Sequence, residues 1–331
     1  MRSYFQCHIE GRRLLLPWLV ALVLTVGAAW VYGAVLMPAA PADPRLDGHF
    51  LLGILWTLLL GICLLAAQCV YYYFFVRATL CGTSLYGEAV EADYDPTQYV
   101  RLCAKGILLS AVTCGIYLPW LVVSLVRYFA SAVIHRLFLC EEPRYRGRGS
   151  VLFAYGVLLG VVPMVILPFA ASFFLLAGGR AVIGVLLLIV SVWLLAFLRA
   201  LTLRYLVNFS LAHRRLTTTV NGWQAGWFVF GQLLLAGITL GIYWPMALLR
   251  IWRYYVGRTV IGDETVEMRF GFSTSLLTDF GRLFVQLLLT VVTCGIYLPW
   301  GYARTMELLI GRTYVEETEP EEAAPMPVDY C

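Results

Sequence analysis

Lysine is all but missing from this sequence: Lys105 stands alone among 24 basic residues, and the others are arginine. Charge of either sign is scarce, at 13% of the chain, about half the roughly 25% of a soluble domain. The apolar share is 61%, against about 45–50% in soluble proteins. A soluble chain of 331 residues could not bury so much apolar surface, which excludes an ordinary globular enzyme. There is no basic, aromatic face of the kind that binds nucleic acid. The excess positive charge is better explained by loops that face an anionic inner leaflet.

Catalytic signatures are missing too. The chain has no H-E-x-x-H, no G-x-S-x-G and no Walker-type phosphate loop. Its four histidines, His8, His49, His135 and His213, are isolated from one another. Nine cysteines, an odd number, include no C-x-x-C pair. Cys63, Cys69, Cys114 and Cys294 lie inside apolar runs, where a reduced thiol packs as a small hydrophobe. Glu88, Glu91, Asp93 and Asp95 gather before Pro96, and a solvated acidic loop explains them more simply than a cation site. No cofactor, no metal and no reaction class follow from these residues, so the expectation is a protein that is not an enzyme.

What is present is long apolar segments, at 14–36, 50–76, 103–126, 151–177, 181–203, 223–246 and 283–303. Each approaches the roughly 20 residues that cross a hydrocarbon core. The first is too long for a signal-peptide core and follows Arg12 and Arg13, so it reads as a span with a cytoplasmic N-terminus. The expected fold is an all-α polytopic membrane protein with about seven hydrophobic segments and small cytosolic β-hairpin-like loops. It divides into an N-terminal membrane half (1–139), a charged loop and linking segment (140–177), a C-terminal membrane half (178–315) and an acidic, disordered tail (316–331).

An internal repeat runs through these segments. "TCGIYLPW" occurs at 113–120 and again at 293–300, and "TLGIYWPM" stands at 239–246. At an offset of 54, "QLLLAGITLGIYWP" (232–245) overlays "QLLLTVVTCGIYLP" (286–299). A fourth, eroded copy is read at 59–65, giving motif glycines at Gly61, Gly115, Gly241 and Gly295 in two tandem halves. Proline lacks the N–H of a helix interior and clashes with the carbonyl four residues back. That residue is the motif glycine: Pro119 and Gly115, Pro245 and Gly241, Pro299 and Gly295. The glycine carbonyl is therefore expected to lose its helical partner, with Thr113, Thr239 and Thr293 placed to act locally. Tyr117, Tyr243 and Tyr297 suit the membrane–water boundary.

Two readings of the motif follow. It is either a helix terminus at the interface or a break within the membrane whose freed carbonyls line a path, as in broken-helix transporters. Gln232 and Gln286, two helical turns before the motif threonines, either join helices by hydrogen bonds or face a path. Each motif precedes an Arg- and Tyr-rich segment carrying Arg127, Arg250, Arg253, Arg258, Arg304 and Arg312, suited to a helix at the headgroup surface. If all seven segments cross, the basic residues divide evenly between the two sides. If the three full-motif segments return to their own side, all of the 24 except Arg45 and Arg180 lie inside, as the positive-inside rule prefers. Cys140 and Cys331 change sides between the two arrangements. Gly156 and Gly160 are spaced for close helix packing and dimerisation.

The T-[LC]-G-I-Y-x-P-W run, the Arg/Tyr-rich segment after it and the "TVIG" turn at 259–262 resemble the YjgN family of bacterial inner-membrane proteins, domain of unknown function 898. Met246 replaces the motif Trp, and Cys114 and Cys294 replace a larger apolar residue. The resemblance covers most of 50–315 and implies a multi-pass protein of the bacterial inner membrane, with no assigned activity. Two functions fit: a transporter or channel-like protein with pseudo-symmetric halves, or a non-catalytic membrane organiser that meets anionic headgroups through its Arg/Tyr segments. The expected partners are the lipid bilayer and a second copy or another membrane protein, with no nucleic acid. The substrate is left unknown.

Overall fold

A computed structural model describes residues 2–31, 48–85, 87–89, 91–92, 94–113, 115–134, 144–156, 181–207, 209–211, 214–262 and 267–318. From the N-terminus, β1 (Arg2–Cys7) leads into α1 (Gly11–Val31). A 34-residue helix, α2 (Gly48–Cys81), runs into β2 (Thr83–Leu85), β3 (Glu88–Ala89) and β4 (Glu91–Ala92). α3 (Pro96–Val112) and α4 (Leu118–Ala132) form a helical hairpin that ends in β5 (Val133–Ile134). Next come β6 (Arg144–Tyr145), α5 (Gly149–Gly156), α6 (Ala181–Leu206), β7 (Phe209–Leu211) and β8 (Arg214–Thr218). A second hairpin, α7 (Gly222–Ile238) and α8 (Trp244–Val256), is followed by β9 (Thr259–Gly262) and β10 (Glu267–Phe272). The third, α9 (Leu276–Val292) and α10 (Leu298–Gly311), ends in β11 (Thr313–Thr318).

Among the described residues, three helices carry stretches long and apolar enough to cross a membrane: Gly11–Ala28, Leu59–Cys81 and Val182–Tyr205. Only 22% of each window is buried inside the protein. Most of their apolar surface, including Leu16, Val23, Val182 and Leu186, therefore faces outward, where lipid rather than water suits it. These helices suggest a membrane protein.

The apolar segments 103–126, 223–246 and 283–303, expected either to cross or to return to their own side, each contain a turn that joins two helices. Their leading helices match closely. Each spans 17 residues and follows Asp95, Asn221 or Ser275 as N-cap. Asp95 Oδ1 accepts from Thr97 N (2.9 Å) and Asn221 Oδ1 from Trp223 N (3.0 Å), satisfying donors that a helix start leaves free. At Ser275 the buried Asp279 carboxylate does this work, accepting from the Ser275 backbone N–H at 3.2 Å. The eroded copy at 59–65 differs from expectation: it lies inside the continuous helix α2, and Gly61 has no positive φ. Leu59 and Leu65 stand where the full copies have Thr and Pro, so nothing caps or stops the helix there.

The expected all-α fold with small hairpins is also corrected. Nine strands form one antiparallel sheet in the order β3-β2-β1-β11-β10-β9-β8-β7-β6, and β4 pairs with β5 apart from it. β1 is the tie between chain ends. It pairs with β11 (Ser3↔Val315) on one side and β2 (Phe5↔Leu85) on the other. The first residues of the expected acidic tail are part of β11, with Glu316 opposite Arg2 and Arg269.

The sheet decides where the hairpins begin and end. The strand before each hairpin is hydrogen-bonded to the strand after it: β4 to β5, β8 to β9, and β10 to β11. Each hairpin thus leaves from one strand and returns to its neighbour, the second and third on the nine-stranded sheet and the first on the β4–β5 pair. Small clusters hold the hairpins to the long helices. Cys69, Tyr73, Tyr99 and Tyr128 join α2 to the first hairpin, and Ala196, Ala200, Ala225, Val229 and Tyr255 join α6 to the second. Leu249, Phe272, Leu283 and Leu309 join the second hairpin to the third. Within the first, a Cβ on Gly106 would meet Leu121 Cδ1 at 2.3 Å, so a side chain at that position would have to displace buried Leu121 from its place between α3 and α4.

The linking segment beyond Gly156, Gly160 with its packing motif, Asp93, Cys140, Cys331, His135 and His213 lie outside the described residues.

Candidate functional site

The motif closes each hairpin by the same bonds. The helix ends at Thr113, Thr239 or Thr293, and the glycine two residues later has φ of +90°, +87° or +87°. A side chain rarely adopts that conformation, and glycine does so freely. Each glycine N–H reaches back five residues to a helix carbonyl: Gly115 to Ser110 (2.7 Å), Gly241 to Ala236 (2.7 Å), Gly295 to Thr290 (2.8 Å). This satisfies carbonyls that a helix C-terminus leaves free. Leu240 (φ 51°) and Cys294 (φ 49°) are left-handed as well, so the chain reverses over two such residues.

The threonine hydroxyls link the two helices of a hairpin. Each donates to the carbonyl four residues back, at Leu109 (2.7 Å), Leu235 (2.8 Å) and Leu289 (2.8 Å). Each accepts from the tyrosine N–H four residues on, at Tyr117 (3.1 Å), Tyr243 (3.0 Å) and Tyr297 (3.0 Å). Pro119, Pro245 and Pro299 are the second residues of the returning helices, where a missing N–H costs nothing.

The expected unpaired glycine carbonyls are therefore a correction. Gly115, Gly241 and Gly295 accept from Leu118 (3.1 Å), Trp244 (3.0 Å) and Leu298 (3.1 Å). The proline follows a turn rather than interrupting a helix, so it strips no carbonyl of its partner. Gly295 O also accepts from Trp18 Nε1 at 2.9 Å, which ties the third turn to α1. The turns carry exposed apolar side chains, Ile116, Leu240, Ile242 and Ile296, and no charged residue lies within 106–126, 229–249 or 283–303.

Gln232 and Gln286 each accept a hydrogen bond from the motif tyrosine of their own hairpin, Tyr243 and Tyr297, both at 2.9 Å. Position 106, the equivalent in the first hairpin, is glycine. Tyr117 stacks on Trp120 at 6.1 Å and Tyr297 on Trp300 at 6.0 Å. Met246 stands where the second hairpin would need that tryptophan, and Tyr243 instead lies 5.8 Å from the Arg250 guanidinium.

The arginines gather toward the sheet end of each hairpin. Arg127, expected to reach the interface freely, donates to Gly147 O at 2.8 Å. Arg258 lies 4.0 Å over the Tyr254 ring and donates to Tyr254 O at 3.3 Å. Arg312 meets the fully buried Asp279 at 3.5 Å, and Thr274 Oγ1 donates to the same carboxylate at 2.8 Å. Asp279 was missed in the sequence, although a lone carboxylate beside an apolar run and an arginine further on were there to be paired. Arg253 and Arg304 make no ion pair or side-chain hydrogen bond among the described residues.

Two cavities collect these side chains. One of about 700 Å³ is lined by Arg282, Gln286, Arg304, Glu307 and Arg312, with Tyr4 and Ser273. Another of about 630 Å³ is lined by Arg250, Arg253, Arg258 and a ring of aromatics. A third, of about 650 Å³, is apolar and lies between the second and third hairpins, against Leu240, Trp244, Phe284 and Leu288. At the sheet, Glu307 accepts from Ile9 N at 2.9 Å and lies 3.3 Å from His8 Nδ1. Burial pushes the Cys7 thiol above its usual range. No group of three metal-ligating side chains occurs among the described residues.

No curated protein and no solved structure matches the chain. The profile of a family described as "Bacterial protein of unknown function (DUF898)" matches residues 2–136 and 148–266. Those residues include the first two hairpins and most of the strands, and the third hairpin lies beyond them. With more than half of its length matched, the chain belongs to the DUF898 family of bacterial proteins.

Proposed function

We propose that this chain is a non-catalytic organiser of the bacterial inner membrane. On this reading α1, α2 and α6 cross the bilayer, and three copies of one helical hairpin enter a single leaflet from a sheet on the cytoplasmic side. Among the described residues, no Arg or Lys lies in the half of α1, α2 or α6 far from the sheet, or in a hairpin turn, so the positive-inside rule puts the sheet in the cytoplasm. The Arg/Tyr segments then lie at headgroup depth and meet anionic lipid.

The bond from Trp18 to the Gly295 carbonyl carries the reading. Arg13 marks where α1 leaves the headgroups, and Trp18 is five residues further on. At 1.5 Å per residue the third turn lies only about 8 Å deep, well short of the midplane of a core about 30 Å thick. An apolar turn at that depth fills one leaflet without reaching the other. The motif glycine carbonyls, which a conduit would need free, are bonded within their own turns, which favours this reading over a conduit.

The test uses Cys294 as the sole cysteine, spin-labelled in reconstituted vesicles. Depth measured against lipid-soluble and water-soluble relaxing agents should fall at about 8 Å, within one leaflet. A label at the bilayer centre, or one exposed to water on the far side, would sink the proposal. Solute flux through protein-containing vesicles that stops when Tyr243 or Tyr297 is altered would favour the transporter instead.

A further inference from the structure

Two of the arginine-lined cavities occupy equivalent places in the second and third hairpins, and they differ in charge. Fifty-four residues apart, Arg250 corresponds to Arg304, Gly257 to Gly311 and Arg258 to Arg312. In the third hairpin the chain answers its own cations. Arg312 meets buried Asp279, and Glu307 lines the same cavity. In the second, Ala225 stands in place of Asp279 and Arg253 in place of Glu307. The cavity there is lined by three arginines and, among the described residues, no carboxylate.

Its walls hold two of those arginines, Arg250 and Arg258, in position. Phe228 stacks on Tyr254 with ring centres 4.6 Å apart, and the Arg258 guanidinium lies over the Tyr254 ring. Arg250 is oriented toward Tyr243, whose hydroxyl is fixed by Gln232. Phe270, Phe272 and Leu276 complete an apolar floor. Three like charges brought together without a counter-charge repel one another, and an anion relieves that repulsion. Guanidinium forks match phosphate oxygens, and the aromatic floor suits the glycerol and first methylenes of a lipid.

We infer that this cavity, formed by α7, α8, β10 and the start of α9, binds the phosphate of one anionic phospholipid. The inference rests on the headgroup-contact reading above and narrows it to a single site. The lining strand β10 and the C-terminal end of α8 put the cavity at the sheet end of the hairpin, where headgroups lie. A free phosphate would offer the same oxygens, so the experiment separates the two sources.

Full-length protein is released from nanodiscs containing equal phosphatidylglycerol and phosphatidylcholine, and retained lipid is read by native mass spectrometry. The unaltered protein should keep one phosphatidylglycerol. Arg253→Glu, which copies the third hairpin, should retain about tenfold less, the loss expected for one charge-assisted hydrogen bond. Arg282→Gln, in the third hairpin's cavity, where Asp279 and Glu307 supply carboxylates, should retain it fully. If Arg253→Glu unfolds, the pair Arg250→Gln and Arg253→Gln replaces it. Retention that ignores Arg253, or lipid displaced by millimolar inorganic phosphate, overturns the assignment. In either case the Cys294 depth measurement still stands, so failure of the site and failure of the membrane reading are distinct results.

Discussion

The sign of two alanine substitutions four residues apart tests the turn at the centre of this fold. Gly237 lies in the last turn of α7 with ordinary helical φ, and Gly241 lies in the reversal at φ +87°. A Cβ on either would meet nothing within 4 Å, so packing cancels and backbone conformation is left. Gly237→Ala removes unfolded-state freedom from a helix position and should stabilise by about 0.5–1 kcal/mol. Gly241→Ala gains the same entropy but puts a Cβ in the left-handed region, which costs about 1–2 kcal/mol, for a net loss of up to about 1.5 kcal/mol. The two variants should differ by about 1–2 kcal/mol. In a protein of this size that is a separation of roughly 1.5–3 °C in unfolding midpoint, read in detergent micelles at one scan rate. Were the motif a bend in a continuous helix, Ala would help at both positions. Two variants shifted upward together would refute the turn.

Other contacts make comparable predictions. Thr293→Val leaves the Tyr297 N–H without its acceptor and should cost about 1–2 kcal/mol, with Thr293→Ser recovering most of it. A double-mutant cycle of Gln232→Leu and Tyr243→Phe should give a coupling of about 0.6–1.7 kcal/mol, the range for hydrogen bonds between membrane helices, and a coupling near zero would mean that the 2.9 Å contact contributes nothing. Asp279→Ala leaves the Thr274 hydroxyl and the Ser275 N–H without their acceptor and should lower the unfolding free energy by about 2–4 kcal/mol, about 1–3 for each stranded donor, and a loss near zero in denaturant unfolding would contradict the contact. With Cys7 as the sole cysteine, burial holds the thiol's pKa up, so less thiolate is present at neutral pH than in an exposed thiol. Its maleimide reactivity should still be climbing above about pH 9.5, one unit past the ordinary cysteine pKa, where an ordinary cysteine levels off, and a plateau at that pH would contradict the burial.

The candidate site was legible where bonds are local. Thr, Gly and Pro at fixed spacing mark each turn, because the threonine bonds residues four away on either side and proline tolerates only a helix start. Leu59 and Leu65 in the eroded copy show the limit: a glycine among apolar residues looks like the motif until the capping threonine and the proline are required. The left-handed Leu240 and Cys294 could not be read from sequence, because the turn imposes that conformation on residues that do not prefer it. The Gln–Tyr pairs needed the reversal to bring residues 11 apart into contact. The unneutralised arginine cavity needed the third hairpin beside it for comparison.

The sequence by itself determined that this is a membrane-type chain and where its hairpins turn. Both follow from interactions within a few residues: apolar length against bilayer thickness, and the caps around each turn. Only the tertiary structure decided that each hairpin returns to the strand beside the one it left. That outcome rests on strands about 40 residues apart, such as Thr218 opposite Thr259, and on β1 joining β11 from the far end of the chain. Strands of two to six residues carry too little local pattern to declare themselves, and their partners are fixed by hydrogen bonds across distances that sequence does not record.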